Sequence, residues 1–113
     1  MEKNAKVVII GGGVVGCSIL YHLSKFGLKD CILLERNELT SGSSWHAAGN
    51  VHVISSDPNI SRMMAYTIGL YKEIEKESGH SVGFKPSGGF YLASNDVWAE
   101  YLKRERYKAR YMG

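Results

Sequence analysis

The sequence predicts an α/β fold that begins with a parallel βαβ unit. Three observations predict it. Val7-Val8-Ile9-Ile10 is a run of β-forming apolar residues, the pattern of a buried parallel strand. Gly11-Gly12-Gly13-Val14-Val15-Gly16 follows at once, with Gly11, Gly13 and Gly16 at GxGxxG spacing. Cys31-Ile32-Leu33-Leu34 is a second apolar run, and it ends on an acid, Glu35.

Each glycine of the spacing has a mechanical role. Gly11 permits the tight turn out of the strand, Gly13 lets the backbone approach a pyrophosphate, and Gly16 lets the helix pack close to the strand. A pyrophosphate would sit at the helix N-terminus, at Val14 and Val15, where free N–H groups and the positive end of the dipole point outward. Val15, Ile19, Leu20, Leu23 and Phe26 recur at helical spacing, so the helix is expected from Val14 to Phe26 with Gly27 as its C′ residue. Glu35 lies 24 residues after Gly11. That is near the ~20-residue interval at which an acid reaches a ribose hydroxyl. Strand, glycine turn, helix, strand and acid in this order describe a Rossmann-like dinucleotide-binding unit.

Two other readings of the same stretch are weaker. The glycines could be simple turn residues, but the spaced acid and second strand would then be coincidence. Lys3 and Lys6 before an apolar run, with Val14-Val15-Gly16-Cys17, also resemble the cleavage box of a membrane-anchored, non-enzymatic lipoprotein. Three consecutive glycines interrupt that run, whereas a signal segment needs continuous apolar residues. No signal or transit peptide is recognised.

The chain has 113 residues, enough for one small domain with a core, and its 44% hydrophobic and 22% charged content is ordinary. A net charge of +3 does not call for a polyanionic partner, and no apolar run reaches the ~20 residues of a membrane span. No membrane or nucleic-acid partner is expected. Cys17 and Cys31 form no CxxC pair and are expected to be reduced core thiols. His22 reads as a helix residue and His52 and His80 as solvated loop residues; His46 and His52 could suggest a metal pair, but no Cys, Asp or Glu completes a set with ligand spacing, so no metal site is expected.

Ser41-Gly42-Ser43-Ser44-Trp45-His46-Ala47-Ala48-Gly49-Asn50 follows the second strand. Small residues let backbone come near a ligand, and hydroxyls and amides can bond phosphate oxygens. A surface loop with a packed Trp45 fits this composition equally well. Asp57 can cap a helix with Pro58 at its first position. Ile60, Met64, Thr67, Tyr71 and Ile74 mark its apolar face, and Gly79 ends it. Val82-Gly83-Phe84 and Gly89-Phe90-Tyr91-Leu92-Ala93 read as strands around a Pro86-Ser87-Gly88 turn. Ser94 or Asn95 caps a last helix to Met112, with Gly113 as its stop. That helix interleaves Lys103, Arg104, Arg106, Lys108 and Arg110 with tyrosines. Glu100 and Glu105 interrupt the basic run, so a solvated face explains it better than a nucleic-acid surface.

The segment Leu34-Glu35-Arg36-Asn37-Glu38-Leu39-Thr40-Ser41-Gly42-Ser43-Ser44-Trp45-His46-Ala47-Ala48-Gly49 resembles the FAD-dependent dimethylglycine and sarcosine dehydrogenases, within the D-amino-acid-oxidase-like flavoproteins. The resemblance covers nearly the whole chain and is strongest from Lys6 to Gly49. It implies an FAD-dependent enzyme oxidising N-methyl amines, and it implies that His46 is linked covalently to the flavin. It also implies pyrophosphate binding by Gly11, Gly13 and Gly16, ribose binding by Glu35, and Arg36 near the adenine. Gly42, Ser43, Ser44, Trp45, His46, Ala47, Ala48, Gly49 and Asn50 would wrap the phosphates and the flavin ring.

The implied partners are a small methylated amine, an electron-transfer flavoprotein or oxygen as acceptor, and tetrahydrofolate in a later portion of the protein. The implied location is the cytoplasm in bacteria or the mitochondrial matrix in eukaryotic relatives. Residues 1–113 are expected to be the N-terminal part of the FAD-binding domain, an incomplete unit without the substrate and folate portions and inactive by itself. NAD is the alternative cofactor, because the glycines and Glu35 serve it equally well; only Ser41–Gly49 favours FAD.

Overall fold

In a computed structural model, which describes residues 4–112, the chain forms two strands and three helices in the order β1 (Val7–Ile10), α1 (Val14–Lys25), β2 (Cys31–Leu34), α2 (Pro58–Ser78) and α3 (Asp96–Met112). It divides into two units, one ending at Asn50 and the other starting at Val51.

The first unit is the expected βαβ. The strands pair in parallel, with Val7 opposite Cys31, Val8 opposite Ile32, Ile9 opposite Leu33 and Ile10 opposite Leu34. The Gly11 N–H donates to the Leu34 carbonyl at 2.8 Å and carries the ladder one step past β1. The helix ends in a Schellman motif. Leu28 N–H donates to Leu23 O at 3.0 Å and Gly27 N–H to Ser24 O at 2.9 Å, with Gly27 at φ +84°. Phe26 is thus the C-cap, and the helix ends at Lys25, one residue inside the bound expected from spacing.

Burial alternates along both strands. Ile9 is buried, and Val7, Cys31 and Leu33 on the same face are half-buried. Val8, Ile10, Ile32 and Leu34 on the other face are exposed, Ile10 by 87%. A parallel sheet is normally covered on both faces; the single helix of this unit covers one. Ile9 is the only buried hydrophobic side chain among the described residues, so the core expected from length is not formed there. Cys17 and Cys31 are free, as expected, but half-buried rather than core thiols.

In the second unit Asp57 caps α2, its carboxylate accepting the Asn59 N–H at 2.7 Å and the Ile60 N–H at 3.3 Å, with Pro58 in the first turn. Gly79 closes the helix at φ +70°. Met64, Thr67, Tyr71 and Ile74 are half-buried as the spacing predicts, whereas Ile60 stays exposed. Ser61 is buried at the start of this face, and its hydroxyl accepts the Ser55 N–H at 3.0 Å and donates to the Ser55 carbonyl at 3.5 Å.

The strands expected at Val82–Phe84 and Gly89–Ala93 do not form. Both stretches are extended only in composition: no strand of the described residues pairs with them, and Gly83 and Gly88 turn the backbone at φ +74° and +73°. Phe90 and Leu92 are almost fully exposed. Asn95, not Ser94, caps α3, its side-chain oxygen accepting the Trp98 N–H at 3.0 Å; the stop expected at Gly113 lies outside the described residues. Along α3, Lys103 pairs with Glu100 at 2.6 Å and Lys108 with Glu105 at 2.7 Å, so part of the basic run is neutralised within the helix.

Candidate functional site

The site begins where β1 ends. Gly11 turns the chain at φ +106°, a conformation that favours glycine. At Gly16 a Cβ would overlap the Gly11 carbonyl oxygen and lie 3.4 Å from the Ile9 Cγ2, so α1 can approach β1 only with glycine there. Gly13 is the N-cap of α1 and offers no capping side chain. Ser44 supplies it: its Oγ accepts the Val14 N–H at 2.8 Å. A Cβ on Gly13 would come within 3.1 Å of that same oxygen, which is why the cap approaches over a bare Cα.

Glu35 reaches back from the end of β2. Its Oε2 accepts the Gly12 N–H at 2.7 Å and its Oε1 accepts the Asn37 N–H at 2.9 Å. The Gly12 bond first, then the Asn37 bond, hold the carboxyl below its ordinary range, because both favour the charged form. The Gly12 carbonyl accepts the Thr40 N–H at 2.9 Å and the Cys17 thiol at 3.5 Å. The glycine turn and the segment after β2 are therefore bonded to each other along their length.

Between them lies a polar cleft of about 410 Å³, lined by Gly13 from the turn and by Glu35 to Asn37 and Thr40 to Ser44 from the segment after β2. Of the residues singled out from sequence, Gly13, Glu35, Arg36, Gly42, Ser43 and Ser44 meet at this cleft. Gly11 and Gly16 shape the turn behind it, and Val14 and Val15 form the exposed first turn of α1. Trp45, His46, Ala47, Ala48, Gly49 and Asn50 are exposed and not on its lining. The Trp45 and His46 rings are 5.1 Å apart at a tilt of 48°, and Gly49 turns the chain at φ +70°.

Gly12, Asn37, Thr40 and Ser41 belong to the site although the sequence assigned none of them a role of its own. Gly12 is signalled only by the run of three glycines. Thr40 and Ser41 are signalled only by the hydroxyl-rich composition of the loop.

A second cleft, of about 540 Å³, lies beside α1 and is lined by Cys17, Leu20, Tyr21, Ser24, Lys25, Leu33 and Leu39. No cluster of three or more His, Cys, Asp or Glu side chains that could hold a metal occurs among the described residues, and none of their helices is long and apolar enough to cross a membrane.

With this geometry in hand, comparison with known proteins is informative. Residues 6–112 match the family described as FAD dependent oxidoreductase. The chain is 46% identical over 102 residues to the mitochondrial dimethylglycine dehydrogenase of Homo sapiens, covering 90% of this chain and 12% of that protein. It is 39% identical over 105 residues to the mitochondrial sarcosine dehydrogenase of Homo sapiens, covering 92% and 11%. It is 34% identical over 125 residues to a 4-methylaminobutanoate oxidase (formaldehyde-forming) of Paenarthrobacter nicotinovorans, covering 96% and 15%. The chain thus spans about an eighth of the length of these relatives. The family match runs through the stretch that cleavage before Cys17 would remove, and that cleavage would cut α1 after its first three residues.

Proposed function

The chain belongs to the FAD dependent oxidoreductase family, and on that premise we propose that it supplies the adenine-dinucleotide end of a flavin site in an enzyme that oxidises a methylated amine such as dimethylglycine or sarcosine. The observation that carries this reading is the closure of a polar cleft over the N-terminus of α1 by the segment 35–44.

The residues fit the cofactor. The bare Cα of Gly11 leaves open space for a diphosphate, and beyond the Val14 N–H, which Ser44 caps, the first turn of α1 offers further N–H groups to it. Hydroxyls of Thr40, Ser41, Ser43 and Ser44 line the same cleft and can donate to phosphate oxygens. Glu35 already accepts two backbone N–H groups, but a carboxylate has about four acceptor positions, so it retains capacity for a ribose hydroxyl. Arg36 stands beside it at the mouth of the cleft, where its guanidinium can stack on an adenine.

FAD, when bound, supplies the two-electron oxidation; the protein supplies position and electrostatics. His46, with Trp45 against its ring, is the residue assigned to a covalent bond with the flavin. A neutral imidazole is a competent nucleophile near neutral pH. The electron acceptor is proposed to be an electron-transfer flavoprotein or oxygen, with tetrahydrofolate accepting the one-carbon product in a later part of the protein.

Equilibrium dialysis of the full-length His46→Ala protein, freed of flavin, against FAD, NAD and NADP tests the reading. Retention of FAD in preference to both nicotinamide dinucleotides is expected. Selective tight binding of NAD would overturn the flavin assignment and leave the dinucleotide fold standing.

A further inference from the structure

We infer that Gly12, the residue of the turn to which GxGxxG spacing assigns no role, is a positioning residue that locks segment 35–44 against the glycine turn and so gives the cleft its shape. Its amide and its carbonyl face opposite partners. The N–H donates to Glu35 Oε2 at 2.7 Å, and the carbonyl accepts the Thr40 N–H at 2.9 Å and the Cys17 thiol at 3.5 Å. One peptide position thus ties together β2, the loop after it and α1.

The bare Cα is needed for a different reason from that at Gly11. Gly11 has a positive φ and open space around a built Cβ. Gly12 has no positive φ, so an L side chain strains no dihedral there. What excludes one is contact: a Cβ would lie 2.5 Å from Leu39 Cδ2, 3.0 Å from Glu35 Cβ and 3.2 Å from Glu35 Cγ. The Leu39 methyl can swing away, whereas the Glu35 Cβ is tied to β2 and can retreat only by shifting the strand end. Leu39 and Glu35 therefore cover Gly12 directly, and the loop approaches the turn as closely as it does only because no atom stands between them.

Thr40 shows how firmly the contact is held. It is the only non-glycine residue with positive φ among the described residues, at +65°, and β-branched residues rarely adopt that conformation. Its N–H is the group that bonds Gly12. The bond holds Thr40 in the strained turn, and the turn carries Ser41 to Ser44 onto the cleft and Ser44 onto Val14.

Hydrogen exchange read by mass spectrometry, on the full-length protein as wild type, Gly12→Ala, Leu39→Ala and the double variant, tests the inference. In Gly12→Ala, exchange across residues 37–44 should speed up about tenfold while α2 stays at the wild-type rate. Adding Leu39→Ala to Gly12→Ala should restore part of the protection, because it removes the nearest obstructing atom; loss of glycine flexibility alone would not respond to it.

On a His46→Ala background freed of flavin, affinity for ADP, the portion common to FAD and NAD, should fall about tenfold on adding Gly12→Ala and recover in step with the exchange. Unchanged exchange in 37–44, or a double variant with no restoration, overturns the assignment. If Gly12→Ala does not fold, Leu39→Ala alone decides, since uncovering Gly12 should loosen 37–44 and leave α2 unaffected; no loosening overturns it. The ADP arm rests on the dinucleotide reading and the exchange arm does not: a flavin-free His46→Ala protein that binds no ADP removes that reading while the exchange result still decides the role of Gly12.

Discussion

Ser44 caps the helix that Val14 begins, its hydroxyl oxygen accepting the Val14 N–H at 2.8 Å across 30 residues of sequence. A helix N-cap is normally the residue just before the first turn. Here that residue is Gly13, kept small, and the capping oxygen arrives from the loop beyond β2. The start of α1 and the placement of the loop are therefore one structural fact.

Ser44→Ala should cost about 1 kcal/mol of unfolding free energy, the usual worth of a capping hydroxyl, and Ser44→Thr should retain most of it. Urea titration followed by far-ultraviolet circular dichroism measures the difference. Equal midpoints for wild type and Ser44→Ala would show that the bond contributes nothing.

Glu35 makes the loop sensitive to acid. Its folded-state pKa is depressed, first by the Gly12 N–H and then by the Asn37 N–H. A depressed carboxyl contributes stability that is present above the unfolded value and lost as pH falls through the folded one. The loss is therefore expected below the ordinary carboxylate value of 4.5. Glu35→Gln should flatten the decline in thermal midpoint between about pH 5 and pH 3. A decline as steep as that of wild type would assign the acid sensitivity to other groups.

Thr40 is strained at φ +65°. Asparagine tolerates that region far better, so Thr40→Asn should stabilise the protein by about 1 kcal/mol. Thr40→Gly should gain less, because glycine also frees the unfolded chain. Denaturant midpoints for both variants check the order, and a Thr40→Asn less stable than wild type would contradict it.

His46 carries the covalent prediction. After acid denaturation and gel electrophoresis of the full-length protein, yellow fluorescence should remain with the polypeptide and vanish in His46→Ala. Flavin that washes out of the wild type would refute the bond and leave noncovalent binding to be judged by the dialysis result.

Much of the fold was legible because it depends on neighbours in sequence. The apolar runs at Val7–Ile10 and Cys31–Leu34, the glycine turn between β1 and α1, and the Gly27 stop of α1 all follow from residues within one or two turns of each other. So do the Asp57 and Asn95 caps. The same local reasoning erred at Val82–Phe84 and Gly89–Ala93, where β-forming composition has no partner strand among the described residues. A strand exists only through its ladder, and composition does not supply one.

The candidate site divides in the same way. By itself the sequence determined that Gly11, Gly13 and Gly16 shape a turn opening onto α1, that an acid follows β2, and that a hydroxyl-rich loop comes next. Only the tertiary structure decided that Ser44 reaches Val14, that Glu35 spends two acceptor positions on backbone N–H groups, and that Gly12 must lack a side chain. The first set is dictated by steric freedom and hydrogen bonding along the chain. Apart from the local Glu35–Asn37 bond, the second depends on distances between residues 23 to 30 positions apart, which come into being when β2 pairs with β1 and brings the loop over the turn.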